Sequence, residues 1–189
     1  MISQKFFTDS IKTTLQGSNV LIIREFFDKN TLERVTEEVN KLASTPEKWG
    51  KVDLQEHLPR DVFPVNDSQL FNDITEYLNT DSFRDSFFSL TGYQMSKIGF
   101  TLWWDTEGYN LPMHFDNEAV KLAMQIYIGD QKHDTLGTSF GDLNQDIIFT
   151  LPYLKNTGYY LSNPNEIQHG LIQPVPKNFN RFSLYFYIE

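Results

Sequence analysis

In the C-terminal half of the chain stand His114-Phe115-Asp116, then His169, then, twelve positions further on, Arg181-Phe182-Ser183. Two imidazoles and one carboxylate can hold a divalent metal on one side and leave its other positions open, as non-haem Fe(II) sites require. Arg181 and Ser183 offer different chemistry. A planar guanidinium beside a hydroxyl suits a small dicarboxylate whose other end reaches the metal. The chain has no Cys, which excludes disulfides, thiolate ligands and a Cys nucleophile. Any metal is therefore held by N and O donors, a set that suits iron but also admits Mn, Co, Ni or Zn.

The positions of these residues within their segments support convergence. Side chains at i and i+2 of a strand share a face, so an extended Met113–Asp116 aims His114 and Asp116 at one point. Arg181, Ser183, Tyr185 and Tyr187 alternate with Phe182, Leu184, Phe186 and Ile188, which puts Arg181 and Ser183 on one face of a strand. Glu118 has the parity of Asp116 if the strand continues through Asn117, and so competes as carboxylate ligand; Asp116 is favoured. Taken singly, each piece has a plainer reading. His114 and Asp116 can be a surface pair, His169 a core histidine satisfied by backbone, and Arg181 and Ser183 a strand-edge pair. His133, after Lys132 in a turn-like stretch, and His57, beside Glu56, read as loop residues without metal duty.

The ordered set His114, Asp116, His169, Arg181, Ser183 resembles the HxD...H...RxS signature of the Fe(II)- and 2-oxoglutarate-dependent dioxygenases, most closely their small prolyl-hydroxylase-like branch. The resemblance runs from about Tyr93 to Glu189 and includes Leu111 to Asn117 followed by Met124 to Ile128. It implies that His114, Asp116 and His169 bind Fe(II), and that Arg181 and Ser183 hold the far carboxylate of 2-oxoglutarate. A Tyr on the next strand helps hold the cosubstrate in that branch, and Tyr127 is the matching residue. Gln125, on Tyr127's face, is a further candidate contact for cosubstrate or substrate. The implied reaction consumes O2 and 2-oxoglutarate, releases succinate and CO2, and oxidises a C–H bond. An intact Asp116 leaves no position for the halide that halogenating relatives bind, so hydroxylation is the expected outcome. Trp103 and Trp104 stand where prolyl hydroxylases often show a Tyr. With Tyr109 they are candidate pocket walls, and one Trp should face the cavity because adjacent strand positions point opposite ways.

The remaining sequence must position these residues. A strand is expected over Val20 to Phe27, and then a helix capped by Asn30 with Glu33, carrying Leu32, Val35, Val39 and Leu42 inward. Pro46 to Asn66 shows no period and reads as a long, substrate-facing rim. Asp67 or Ser68 is expected to cap a helix with Leu70, Ile74, Tyr77 and Leu78 inward. Asp81 is expected to cap another with Phe83, Phe87 and Leu90, stopped by Gly92. After Gly92, strands are expected at Tyr93–Trp104, Met113–Asp116, Val120–Ile128, Ile147–Leu151, Thr157–Leu161, Ile167–Ile172 and Arg181–Tyr187. Helices first and strands later indicate an α+β fold. The expected architecture is a double-stranded β-helix, a distorted jelly-roll barrel, buttressed by N-terminal helices. One domain spans 1–189, with a mostly helical 1–92 and a core at 93–189 that carries the site.

Charge and hydropathy bound the partners. A net charge of −9 disfavours nucleic acid as a partner. The longest apolar runs, such as Val20 to Ile23, are too short to span a bilayer, and no signal segment stands out, so a soluble cytoplasmic protein is expected. The expected substrate is a protein, peptide or amino acid. Two other classes fit the same residues less well. A non-redox, cupin-like metal enzyme, for example an isomerase, has no need of Arg181 and Ser183, and a non-catalytic jelly-roll binding module needs no metal at the triad.

Overall fold

Four helices and eleven strands follow one another in the computed structural model, which describes residues 1–15, 17–51, 60–144 and 146–188. The first half holds α1 (Gln4–Asp9), β1 (Ile11–Leu15), β2 (Ser18–Ile23), α2 (Lys29–Ala43), β3 (Gly50–Lys51), β4 (Arg60–Phe63), α3 (Gln69–Leu78) and α4 (Asp81–Thr91). The second half holds β5 (Ile98–Asp105), β6 (Leu122–Tyr127), β7 (Ser139–Gly141), β8 (Ile147–Thr150), β9 (Gly158–Ser162), β10 (Gln168–Gly170) and β11 (Arg181–Ile188). An eight-stranded sheet runs β1-β2-β9-β6-β11-β5-β4-β3, and a three-stranded sheet runs β10-β7-β8, with antiparallel pairing throughout. Among the described residues no helix is long and apolar enough to cross a membrane.

The period-two pattern of β11 divides the interior. Phe182, Leu184 and Phe186 join Phe100, Leu102, Met124 and Ile126 on one face of the large sheet, against Val35 and Val39 of α2, Ile74 and Leu78 of α3, and Phe83 and Phe87 of α4. The opposite face, through Ala123, Tyr127, Tyr159 and Leu161, packs on Phe140 of the small sheet and on Leu136, Tyr153, Ile167 and Leu171. The helices thus stiffen one face of the large sheet and leave the other for the small sheet and a cavity between them.

Several helix ends differ from the sequence expectation. Asp28 rather than Asn30 caps α2, accepting the Thr31 amide at 2.8 Å. Its extended backbone lets the short carboxylate reach that amide, while Asn30 is already inside the first turn. Thr80 rather than Asp81 caps α4, and Asp81 sits in the first turn and pairs with Arg84 at 2.7 Å. Ser68 takes the cap position of α3. Tyr77 of α3 points outward, 37% exposed, because the buried stripe runs through Phe71, Ile74 and Leu78. Gly92 ends α4 at φ 77°, a left-handed geometry open to glycine without a Cβ penalty.

The strand expectations shift as well. Met113–Asp116 is not a strand; it makes a single antiparallel bridge, His114 to His169. Strands β1 and β7 and helix α1 carried too little pattern to stand out. The segment Pro46 to Asn66 contains β3 and β4, which pair with each other and lay β4 along β5. His57 lies outside the described residues.

Candidate functional site

The bridge between His114 and His169 creates the centre. Each residue's amide donates to the other's carbonyl, at 3.1 and 2.9 Å, so the two imidazoles stand side by side with ring centroids 4.7 Å apart. The Asp116 amide donates to Pro164 O at 3.2 Å, which brings the carboxylate back toward the rings. Asp116 Oδ1 lies 3.3 Å from His114 Nε2 and 3.6 Å from His169 Nε2. Three donors held about 2.1 Å from one ion at right angles sit about 3 Å apart, close to this spacing. The other ring nitrogens face carbonyl oxygens, His114 Nδ1 at 2.9 Å from Pro112 O and His169 Nδ1 at 3.3 Å from Ile167 O. That protonates Nδ1 and leaves each Nε2 lone pair for a metal. The donor set fits a facial site for a divalent ion with open positions.

Burial opposes charge on both rings. At His114 the hydrogen bonds with Asp116 and Pro112 O outweigh burial and raise the pKa above its ordinary value. At His169 burial prevails over the attraction of Asp116, and the neighbouring His114 adds to it, so the pKa falls and the ring is neutral as a ligand must be.

The triad opens on a cavity of about 730 Å³. Arg60 and Arg181 also line it, and three strands set them in one row of charged side chains, because Arg60 of β4 and Arg181 of β11 both register opposite Asp105 of β5. Arg60 donates through Nε to Asp105 Oδ1 at 2.5 Å and through Nη2 to Oδ2 at 3.2 Å. Arg181 donates through Nη1 to Oδ2 at 2.5 Å and through Nε to Leu136 O at 2.7 Å, with Nη2 turned to Gly137 O at 3.5 Å. All three side chains are buried. Burial alone would ease a proton off Arg181, but Asp105 more than offsets it and the pKa rises. Arg60 Cζ also lies 3.7 Å over the Trp103 ring, which stacks on Tyr185 with centroids 4.1 Å apart.

The expected site residues divide into three groups. His114, Asp116, His169, Arg181, Gln125, Trp103 and Tyr109 line the cavity. Ser183 and Tyr127 stand behind its wall. Ser183 Oγ accepts from Gln125 Nε2 at 2.7 Å, and the Tyr127 hydroxyl donates to Thr138 Oγ1 at 2.8 Å, so each supports a residue that does line the cavity. Trp104 is a correction: one position along from Trp103, it turns to the helical side, packs against Trp49 and Phe182, and has no place in the pocket. Glu118 is exposed and outside the metal cluster, and His133 bridges to Tyr153 away from it.

Sequence reasoning missed Arg60, Thr138, Tyr159 and Tyr185 as residues that line the cavity, and Asp105 as the partner of both arginines. Asp105 had a signal, since it shares the parity of Trp103. Tyr185 had the same signal beside Arg181 and Ser183. Arg60 had none, because it follows an aperiodic stretch and gains its position only by pairing with β5.

No protein-family model matches the sequence, and no curated protein matches it. Solved structures do. A prolyl-4-hydroxylase from Pseudomonas putida superposes with a TM-score of 0.67 at 9% identity, over 90% of this chain and 91% of that one. A prolyl hydroxylase from Trichoplax adhaerens, solved with a peptide of the hypoxia inducible factor oxygen degradation domain, gives 0.66 at 14% identity over 89% and 82%. The chain has the fold of the 2-oxoglutarate–Fe(II) oxygenases. A member of that oxygenase family from Burkholderia pseudomallei gives 0.61 at 13% identity over 90% and 84%. The likeness to prolyl hydroxylases therefore extends over about 90% of the chain, at identities that speak for fold alone.

Proposed function

We propose that this protein is an Fe(II)- and 2-oxoglutarate-dependent dioxygenase that hydroxylates a C–H bond of a protein, peptide or amino acid. One observation carries the reading: an N2O donor set with free Nε2 lone pairs opens on the same cavity as a buried, cationic cluster. The two sheets, with the cavity between them, are read as the double-stranded β-helix expected from the sequence. Bound iron, with O2 and 2-oxoglutarate, would supply the oxidising chemistry, releasing succinate and CO2.

The chain's own residues prepare the cavity for that chemistry. Pro112 O and Ile167 O hold the His114 and His169 rings in the ligating tautomer. Asp116 supplies the anionic charge that offsets part of a divalent cation. Arg181 and its neighbours offer charge-assisted donors to the far carboxylate of the cosubstrate. Ser183 holds Gln125 toward the cavity, and Trp103, Tyr109, Leu111 and Leu171 wall it against water. A peptide substrate is supported by the Trichoplax neighbour, which was solved with one. A non-redox enzyme on the same fold would have no use for the arginines.

The test is anaerobic mixing of purified protein with Fe(II) and 2-oxoglutarate, followed by admission of O2. A visible charge-transfer band and then succinate are expected, and both should vanish in His169→Ala. Absence of both from metallated wild-type protein would refute the proposal.

A further inference from the structure

Among the described residues His133 is the one histidine outside the metal triad, and its half-buried ring is built into a turn. Its Nδ1 accepts the Thr135 amide at 3.3 Å and lies 3.2 Å from the Thr135 hydroxyl, which itself accepts from Gln173 Nε2 at 2.6 Å. An amide N–H can only donate, so Nδ1 is the unprotonated nitrogen and the ring proton sits on Nε2. Taking the amide two residues on is the task that Asn and Asp side chains perform in turns. Imidazole differs from both in gaining a proton between about pH 8 and pH 5. The turn leads directly to Arg181. Leu136 O accepts Arg181 Nε at 2.7 Å, Gly137 O faces Nη2 at 3.5 Å, and Thr138 lines the cavity. One end of the turn is tied by two backbone bonds between His133 and Tyr153, at 3.1 and 2.8 Å. The other end is tied where Leu151 N donates to Thr138 O at 2.8 Å, and where a Cβ on Gly137 would lie 1.8 Å from Leu151 O. Between these ties Thr135 joins the turn to Gln173, which follows the cavity-wall residue Leu171 by two positions.

We infer that His133 is a proton-sensitive positioning residue: its neutral ring holds the Thr135 turn, and with it the Leu136 and Gly137 carbonyl groups that orient Arg181, so that protonation of the ring weakens cosubstrate binding. The inference rests on the function proposed above and concerns the regulation of that site. Once Nδ1 carries a proton it faces the Thr135 amide donor to donor, and the amide loses its acceptor. The segments packed on the ring present Tyr153, Gln173 and Phe179, the last edge-on with centroids 5.7 Å apart, and none of them is charged. Burial raises the Tyr153 pKa and keeps its hydroxyl neutral. The charged residues of these segments lie elsewhere. Lys132 and Asp134 are exposed on the turn itself, Lys177 is exposed beyond Phe179, Asp130 pairs with Lys155 at 2.6 Å, and Arg181 pairs with Asp105. Among the described residues no carboxylate forms an ion pair with the ring, so nothing holds an imidazolium in the place of the neutral acceptor.

The experiment titrates 2-oxoglutarate calorimetrically into Ni(II)-saturated protein, a redox-inert form, at about pH 8 and about pH 5.5. Wild type should lose about 3- to 10-fold in affinity at the lower pH, the worth of one hydrogen bond. His133→Asn, whose Oδ1 can take the Thr135 amide but does not titrate, should match wild type at the higher pH and keep its affinity at the lower. His133→Ala should bind at both pH values as protonated wild type does. Hydrogen exchange of the Thr135–Thr138 amides in metal-free protein, corrected for its intrinsic pH dependence, provides a readout independent of the cosubstrate. Protection should fall at the lower pH in wild type and hold in His133→Asn. Equal losses of affinity in wild type and His133→Asn, or no loss in wild type, overturn the inference and leave the proposed function standing. So does His133→Ala binding as tightly as wild type at the higher pH. If Ni(II)-saturated wild type binds no 2-oxoglutarate at either pH, the proposed function is refuted, and the exchange difference between wild type and His133→Asn still decides whether the turn responds to the proton.

Discussion

Replacing Gly170 by Ala puts a methyl group between the two segments that carry the histidines. A Cβ at this position would lie 2.6 Å from Pro112 O and 2.7 Å from Leu111 O, where ordinary contact begins at 3.4 Å, a deficit of about 0.8 Å. Both obstacles are backbone, so no flexible side chain can turn away. The opposing segment is tied down by Leu171 N to Leu111 O at 2.7 Å and by the two His114–His169 bonds. Pro112 O is also the acceptor facing His114 Nδ1. The methyl therefore strikes the atom that orients a ligand ring. Metal ligands tolerate displacements of about 0.2 Å, so a shift several times larger should cost about 10- to 100-fold in metal affinity. Overpacking should cost the fold about 1–3 kcal/mol, or roughly 2–12 °C in melting temperature for a chain of this size. Calorimetric titration of Ni(II) into wild type and variant, with metal-free melts alongside, separates the two effects. Wild-type affinity in a variant whose melting temperature has fallen would refute the reasoning, because the segment would then yield without moving the ring.

Three further outcomes follow from the geometry. Trp104→Ala should destabilise the fold by about 2–4 kcal/mol in denaturant titrations through its lost packing on Trp49 and Phe182 and leave 2-oxoglutarate affinity within about threefold, whereas Trp103→Ala should weaken that affinity about tenfold or more; equal effects would contradict the opposed facing of the two rings. Asn156→Ala removes the amide that accepts from Phe27 N at 2.8 Å and donates to Phe27 O at 2.9 Å, at a residue with φ 65°, and should cost about 2–4 kcal/mol by chemical denaturation; a loss below about 1 kcal/mol would mean that water replaces both bonds. Saturating Ni(II) at about a hundred times its dissociation constant should stabilise the protein by about 2.7 kcal/mol, reversed by chelator and absent in His169→Ala; an equal shift in that variant would place the ion elsewhere.

Much of the site was legible because local periodicity encodes which side chains share a face. The alternation of Arg181, Ser183 and Tyr185 with Phe182, Leu184 and Phe186 foretold two faces of β11, one polar and one packed, and the core divides that way. The i, i+2 relation of His114 and Asp116 foretold convergence, although the segment is a lone bridge and not a strand. Parity tells which residues face together and not toward what. That is why the sequence placed Trp103 and Trp104 on opposite faces without saying which met the cavity, and why Tyr127 and Ser183, on the cavity side of the sheet, stand behind its wall.

By itself the sequence determined the donor types, their order, the absence of thiolates and the helical and strand stretches with strong periods. Tertiary structure alone decided the charge of the pocket. Arg60, Asp105 and Arg181 are far apart in the chain and meet only because β4 and β11 flank β5 in one register. Whether a guanidinium is free to take a ligand or is already paired depends on what lies across the strand, and cross-strand neighbours are set by pairing and not by local pattern.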